Sequence, residues 1–259
     1  MSNESKKISE KIIGKTEIPK SEIKPPYHFN TGQTNIVMPT SYLIKQKNSD
    51  FRIVLAISGI SNCDNVKERG ENTRYVTTKK LDRHTNSICN TIGIEPGTFI
   101  KNIRKMLKHK SDEFKLTQRY GVNGTLVWCY QIDYEAGGFV TIPIRKAERC
   151  LLALGNNPIK LYCNLLWLCQ RDGEFFRNHI PQSVLAELMG LSPRSENIVK
   201  ASMQTLINED LIKVTKVTER ITNVNEDNIP YYTITEKLYY EIIVDEENDN
   251  CEEKKEERF

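Results

Sequence analysis

The sequence has none of the residue arrangements that commonly hold a nucleotide or a metal ion. Its 13 glycines form no Gly-x-Gly and no complete Gly-x-x-x-x-Gly-Lys-Ser/Thr loop, so the familiar phosphate-binding motifs are missing. Its seven cysteines include no Cys-x-x-Cys pair, and no cysteine cluster lies near any of the four histidines. We therefore predict no metal and no cofactor, and cysteines that are reduced thiols in a cytoplasmic protein.

The sequence also lacks a run of about 18 apolar residues, which a membrane-spanning helix would require. The first 20 residues are polar and contain several lysines, without the apolar stretch of a secretory signal peptide. We therefore expect no membrane partner.

No set of residues indicates catalysis. Cys63 and His84 are a nucleophile and a base in type, but nothing in the sequence brings them together. Tyr120 follows a basic stretch, yet the sequence lacks the histidine cluster or the Arg-His-Arg set that relaxases and recombinases place around a phosphate. We predict that the protein is not an enzyme and has no catalytic residues.

The net charge of +3 conceals a basic body and an acidic end. Residues 245–259 contain eight acidic and three basic residues, a net of −5, which leaves +8 for residues 1–244. A basic body favours a polyanionic partner, although a charged tail that aids solubility is the ordinary alternative. We predict disordered tails at residues 1–35 and 245–259.

The two halves of the chain repeat one order of features. Each has a short extended segment with a proline, Pro39 or Pro143, followed after a spacer by an apolar helix. Proline suits the end of a strand, where its missing N–H does no harm. The repeat predicts two domains, residues 36–138 and residues 139–244.

In the second half, a pattern of two helices joined by a turn follows the apolar helix. Apolar residues recur at helical spacing up to Gly190, which tolerates the left-handed conformation that ends a helix. Ser192 suits the N-cap and Pro193 the first turn of a second helix that runs to Asn208. Ala186 is small enough for the two helices to approach closely, as a helix-turn-helix requires.

The first half contains a looser version of this pattern. A predicted helix over residues 81–92 ends at Gly93, and Thr98 is predicted to cap a helix over residues 99–110. Each half then continues into a predicted β-hairpin, residues 114–119 with 125–132 and residues 211–217 with 231–235. The predicted fold class is α+β, mainly α, with two tandem winged helix-turn-helix domains whose wings are these hairpins.

The second helix of a helix-turn-helix enters the major groove of DNA, and the wing contacts the backbone or minor groove. In the first unit, basic residues at positions i, i+3, i+4 and i+7 form a single stripe on this helix. A solvated surface helix is the alternative interpretation. The predicted DNA contacts of this unit are Thr98, Lys101, Asn102, Arg104, Lys105, Lys108, Lys115 and Arg119.

The second unit has fewer charges, but its polar residues suit the edges of bases. Since some winged helices pair with proteins instead, a protein partner is the alternative here. The predicted DNA contacts of this unit are Arg194, Ser195, Asn197, Lys200, Gln204, Lys213, Lys216 and Arg220.

Four large side chains lie in apolar stretches. We predict that Trp128 and Trp167 are core residues and do not stack on bases. We predict that Arg52 and Lys160, within the apolar helices, extend their charged ends to the surface.

Residues 140–165, followed by residues 179–212, resemble the winged helix of DnaD-like and plasmid-replication proteins of low-GC Gram-positive bacteria. Two such units in series resemble the tandem winged-helix initiators of plasmid or phage replication. The segment from Ala186 to Gly190, with the Leu-Ser-Pro after it, is the sharpest element of the resemblance. It implies double-stranded DNA with repeated origin sites as the partner, a homodimer or DNA-templated array, and contacts with host replication proteins.

A fold does not dictate a function, so other functions stay open. A transcriptional repressor or a centromere-binding partition protein would use the same DNA-binding units. A protein-interaction adaptor built on winged helices is an alternative of a different class.

Overall fold

The computed structural model describes residues 5–16, 28–29, 33–40, 50–64, 72–108, 114–121, 123–134, 138–172, 178–224 and 230–243. These residues form a mixed α/β structure in which the helices pack against three small antiparallel sheets. Their buried apolar side chains form one core that draws on both halves of the chain.

In the first half, helix α1 is the most deeply buried element. Nine of its ten residues are buried, as its almost entirely apolar sequence predicts, and Asp50 caps its start by accepting a hydrogen bond from the Arg52 N–H. The elements of this half are β2 (Asn35–Pro39), α1 (Phe51–Ile60), β3 (Asn62–Asp64), β4 (Asn72–Thr77), α2 (Thr78–Ile92), α3 (Pro96–Lys108), β5 (Phe114–Tyr120) and β6 (Leu126–Tyr134).

The predicted turn between α2 and α3 is present at Gly93, which adopts the left-handed conformation with φ of 70°. Helix α3 begins at Pro96, and the Phe99 N–H donates to the Glu95 carbonyl at 3.0 Å. The prediction that Thr98 caps this helix is therefore wrong, because Thr98 lies within its first turn. Proline supplies a helical φ and has no N–H that needs a cap, so the helix starts earlier.

In the second half, a second pair of helices is joined by a turn at Gly190, where φ is 74°. The second of these helices begins at Glu196, later than predicted, because the chain makes a turn first, with the Ser195 N–H donating to the Ser192 carbonyl at 2.8 Å. Ser192 is therefore not its N-cap. The elements are β7 (Phe139–Pro143), α4 (Ile144–Ala153), α5 (Asn156–Asp172), β8 (Asn178–His179), α6 (Gln182–Leu188), α7 (Glu196–Asn208), β9 (Ile212–Val224) and β10 (Pro230–Ile242).

The two proline-containing segments that suggested a repeat pair with each other. Strands β2 and β7 form an antiparallel two-stranded sheet in which Ile36 lies opposite Ile142 and Met38 opposite Val140. All four of these side chains are buried. The repeat in sequence therefore corresponds to a contact between the halves at the centre of the core.

Each half also has a sheet of its own. The first is a four-stranded sheet in the order β3-β4-β6-β5. The second has the order β1-β9-β10-β8, in which β1 is the N-terminal strand Ser5–Ile13. Strand β1 (Ser5–Ile13) belongs to the segment predicted as a disordered tail, so that prediction is wrong over these residues. The outer edge of β9 offers unpaired backbone groups, which β1 satisfies along its length, and Ile13 packs against the core. The predicted acidic tail, residues 245–259, lies outside the described residues.

Two predictions about large side chains in apolar stretches are wrong. Trp128 is 50% exposed, whereas Trp167 packs against the core as predicted. Lys160 is buried with 2% exposure, and Arg52 binds the Asp50 carboxylate, with Nη2 and Oδ2 2.6 Å apart. Lys160 stays inside with the Phe51 ring facing it, whereas Arg52 is half-buried and is held by Asp50 and the Ile92 carbonyl.

Candidate nucleic-acid interface

Helix α3 divides its residues between packing and charge. Phe99, Ile103 and Met106 are buried on one side and anchor the helix in the core. Its opposite side presents an exposed row of four basic residues, here called the cationic stripe. The cationic stripe consists of Lys101, Arg104, Lys105 and Lys108.

A shallow groove of about 510 Å³ follows the cationic stripe, with Gly97 and Ile100 as its apolar lining. None of the four cations forms an ion pair with another described residue. Their charge is therefore available to an external anion. Thr98 is exposed one turn before the stripe, and Asn102 is half-buried beside it, so the structure places both predicted polar contacts on the same helix.

The hairpin β5–β6 lies next to this helix, and a charged residue of the helix acts on a side chain of the hairpin. Burial, and then the carboxylate of Asp82, raise the pKa of the Tyr130 hydroxyl on β6, whereas the guanidinium of Arg104 lowers it. Helix α3 also contacts β5, so the hairpin lies beside the helix that carries the cationic stripe.

The structure does not bring all of the predicted cations of the first half together. Lys115 and Arg119 alternate along β5 with Phe114, which faces the core, so both project from the opposite side of the sheet. The Lys115 ammonium is 2.6 Å from the Asp133 carboxylate, and the Arg119 guanidinium lies 4.4 Å from the centre of the Tyr75 ring. These two residues are separated from the cationic stripe and bind groups of the chain itself.

In the second half, helix α7 buries Val199, Met203 and Leu206 and exposes Asn197 and Lys200. Arg194 is exposed in the turn before the helix, and Ser195 is half-buried at its start. The residues of this half that were predicted to contact base edges therefore lie together at the start of α7.

The remaining predicted contacts of the second half are engaged within the chain. The Gln204 amide donates to the Gly14 carbonyl at 3.2 Å and to Asn208 Oδ1 at 3.1 Å. The Lys213 ammonium is 3.7 Å from Glu241, on the outer side of the sheet. The other two predicted contacts also have partners: Lys216 binds Glu236 at 2.6 Å, and the Arg220 guanidinium lies 3.3 Å from the centre of the Tyr232 ring.

A second groove, of about 660 Å³, lies between α7 and the strands β9 and β10. Lys200 and Lys216 line it, but so do the carboxylates Glu196 and Glu236. The groove is therefore balanced in charge, and the groove along α3 is the better fit for a polyanion.

Two features of the interface were missed from the sequence. Lys11 on β1 is exposed and lies opposite Lys216, so the N-terminal strand adds a cation beside α7. The sequence carried no clear signal for that strand, because Ile8 and Ile12 are four positions apart and do not alternate with polar residues. Trp128 is the second missed feature. Apolar residues alternate along β6 beyond the point where the core ends. The residues nearest the tip of the hairpin are therefore exposed.

Five cysteines whose side chains the structure describes are buried or half-buried free thiols: Cys89, Cys129, Cys150, Cys163 and Cys169. Burial raises the pKa of Cys150 to about 12 and also raises that of Cys163, so neither is an activated nucleophile at neutral pH. Within the described residues, no group of three or more His, Cys, Asp or Glu side chains is placed to hold a metal ion. No described helix combines the length and the apolar character needed to cross a bilayer.

An exposed row of cations without acidic partners is suited to neutralising the regularly spaced phosphates of a nucleic acid. Exposed Asn and Arg side chains at the start of a helix are suited to the donor and acceptor groups of base edges. Comparison of the chain with models of known families, with curated proteins and with solved structures gave no match.

Proposed function

We propose that the protein is a sequence-specific, double-stranded DNA-binding protein made of two tandem winged helices, residues 36–138 and 139–244. The cationic stripe on α3 is the observation that carries the proposal. Four exposed cations on one side of a helix whose other side is buried form the arrangement that a recognition helix needs.

The order of the elements supports the winged-helix assignment. From β4 to β6 the first half consists of a strand, two helices and two strands, and the second half repeats this order from β8 to β10; in the first half one further strand, β3, lies between α1 and β4. In both halves the strand before the two helices pairs with the last strand, and the last strand also pairs with the one before it. The same topology in both halves, each with a glycine turn between the two helices, is what a tandem repeat of winged helices would produce.

We further propose that α3 provides most of the affinity and α7 most of the sequence preference. The α3 cations are free to bind phosphates, and phosphate contacts are insensitive to base sequence. Asn197 and Arg194 near the start of α7 are exposed and have side chains that pair with adenine and guanine edges.

The task that we propose is initiation of plasmid or phage replication in the cytoplasm, at repeated origin sites. This step depends on the resemblance of the helix-turn-helix to that of plasmid initiators. It entails a homodimer or an array of copies on DNA, and host replication proteins as further partners.

Titration of the full chain against labelled duplexes tests DNA binding. The duplexes would be the DNA that flanks its own coding sequence and an unrelated sequence of equal length, over a range of salt concentrations. About four phosphate contacts predict that the logarithm of the association constant falls with the logarithm of salt concentration with a slope near −4.

The variant K101A/R104A should bind every duplex more weakly and lower the magnitude of this slope by about 2. The matched control is R145A/R149A, which removes the same charge from two exposed positions on α4, neither of them a predicted DNA contact. Equal losses in both variants would show that the stripe is not the binding surface. If the full chain bound no duplex even at low salt, the proposal would be wrong and a protein-interaction adaptor would replace it.

A further inference from the structure

The hairpin β5–β6 has an apolar surface that the core does not cover. Phe114 and Ile132, at the base of the hairpin, define its inner face because both are buried in the core. The register places Leu116 opposite Tyr130, Gln118 opposite Trp128, and Tyr120 opposite Leu126, all on this inner face. The exposed fractions toward the tip are 42% for Leu116, 50% for Trp128, 51% for Leu126 and 80% for Tyr120.

This apolar surface adjoins the helix of the cationic stripe, because α3 contacts β5. Tyr130 lies on the same face as Trp128 and packs against the core, and the positive charge of Arg104 acts on its hydroxyl. From Leu116 to the tip, the inner face has no charged side chain, because Lys115 and Arg119 project from the other side. A ligand that meets both surfaces would present anionic groups to α3 and flat apolar groups to the hairpin, and in a nucleic acid the phosphates and bases have this arrangement.

The strand pair β9–β10 repeats the feature independently. Val214 and Tyr240 on its inner face are buried, whereas Tyr232 and Ile234, further along the same face, are 57% and 66% exposed. Arg220 lies opposite Ile234 and stacks over the Tyr232 ring. Exposed aromatic residues beside a cation therefore occur on the inner face of both strand pairs.

We propose that the inner face of the β5–β6 hairpin, with Trp128 at its centre, is a wedge that stacks on a base and unstacks one base step of the duplex held by α3. The inference depends on the proposed DNA binding and adds a distortion of the DNA to it. Apolar side chains that enter the minor groove unstack base steps in this way, and flexible pyrimidine–purine steps yield most easily. The wedge would concentrate the distortion of the bound DNA at one base step.

Two fluorescence signals test the wedge with the full chain. The first is 2-aminopurine placed at successive positions of a bound duplex, whose emission rises when it loses its stacked neighbours. The second is the emission of Trp128 in a Trp167→Phe background, which should be quenched when the indole stacks on a base. We expect a rise at one or two adjacent positions, together with the quenching.

Trp128→Ala should remove the 2-aminopurine signal and weaken duplex binding by roughly tenfold, since one stacking contact is lost. Trp128→Phe should retain most of the 2-aminopurine signal and most of the affinity for the duplex. Tyr231→Ala is the matched control: Tyr231 is 51% exposed but neighbours Tyr232 in the strand and so projects from the outer face. It should leave both signals unchanged.

The outcomes separate the wedge from DNA binding itself. A full chain that binds duplex without any 2-aminopurine rise would overturn the wedge and leave the proposed function intact, whereas a full chain that binds no duplex would overturn the proposed function as well. The wedge would also be wrong if sedimentation showed a dimer that Trp128→Ala dissociates, with no change in base stacking, because a second copy would then cover the apolar surface.

Discussion

The side-chain oxygen Oδ1 of Asn156 accepts a hydrogen bond from the backbone N–H of Phe51 at 2.6 Å. Asn156 begins α5 and Phe51 begins α1, so the bond connects the starts of the apolar helices of the two halves. Together with the pairing of β2 and β7, it makes one core out of two repeated units.

Replacing Asn156 with alanine should destabilise the whole chain. The buried N–H of Phe51 would lose its partner, and an unsatisfied buried donor costs about 1–3 kcal/mol. Urea unfolding followed by circular dichroism should show a lower midpoint and a single transition that includes both halves. Asn157→Ala, one residue further along α5, is the control and should have a much smaller effect. Two separate transitions in the wild type would show that the halves unfold independently.

Gly59 should tolerate no side chain. A Cβ at this position would lie 2.0 Å from Cε1 of the buried Phe29 ring, so alanine would force a displacement in the core. Overpacking of this kind costs about 1–3 kcal/mol. Gly97→Ala is the opposite case, because Gly97 lies in α3 with open space around it and alanine favours a helix by about 1 kcal/mol. Thermal melting should therefore shift down for the first variant and up for the second, and a neutral Gly59→Ala would contradict this packing.

Lys160 should make the stability of the chain depend on pH. Burial lowers its pKa from 10.5 to about 8, and the carboxylate of Asp50 opposes this only in part. Below pH 8 the lysine is charged in both the folded and the unfolded chain, and the cost of burying that charge is fully present. Between about pH 8 and 10.5 the folded chain releases the proton first, so this group's contribution to the free energy of unfolding rises with pH.

The comparison of wild type with Lys160→Met isolates that contribution. Between pH 7 and pH 10 the difference in unfolding free energy should move in favour of the wild type by roughly 1–3 kcal/mol. Urea unfolding at several pH values measures it. A difference that stays constant over this range would mean that Lys160 titrates at the same pH in both states.

Asn197 should affect the choice of site, whereas Lys200 should affect affinity for all sites. Both are exposed on α7, one turn apart, so they form a matched pair. Asn197→Ala should reduce discrimination at one base position by about 1–3 kcal/mol, because an amide pairs with a specific base edge. Affinities for a set of duplexes with single-base changes would measure it. If the ranking of sites is unchanged by Asn197→Ala, α7 does not read bases at this residue.

Much of the local structure could be predicted because it depends on neighbours in the sequence. The helix that ends at Gly93, the turn at Gly190 and both strand pairs follow from periodicity and from the conformations that glycine permits. Helix starts were less predictable: at Pro96 the helix begins before the expected cap, and at Glu196 it begins after it. Several residues near a helix start are suitable caps, and the packing of the turn selects among them.

Burial of individual charged and aromatic residues was not predictable. Arg52 and Lys160 lie in apolar stretches and were expected to reach the surface, but Lys160 is buried, and Arg52 is half-buried and binds the Ile92 carbonyl. Trp128 was expected in the core, but the hairpin extends past the helices that would cover it. The groups near Lys160 and the Ile92 carbonyl that binds Arg52 lie far away in sequence, although Asp50, the other partner of Arg52, is only two residues away.

The sequence by itself determined the cationic stripe, because a spacing of i, i+3, i+4 and i+7 places four side chains on one side of any α-helix. Only the tertiary structure decided which cations stay available, since the partners of Lys115, Lys213 and Lys216 come from other strands. It also decided that residues 5–13 form a strand on the edge of β9, about 200 residues away. Local periodicity is a property of a short segment, whereas strand pairing and ion pairing depend on what folding brings alongside it.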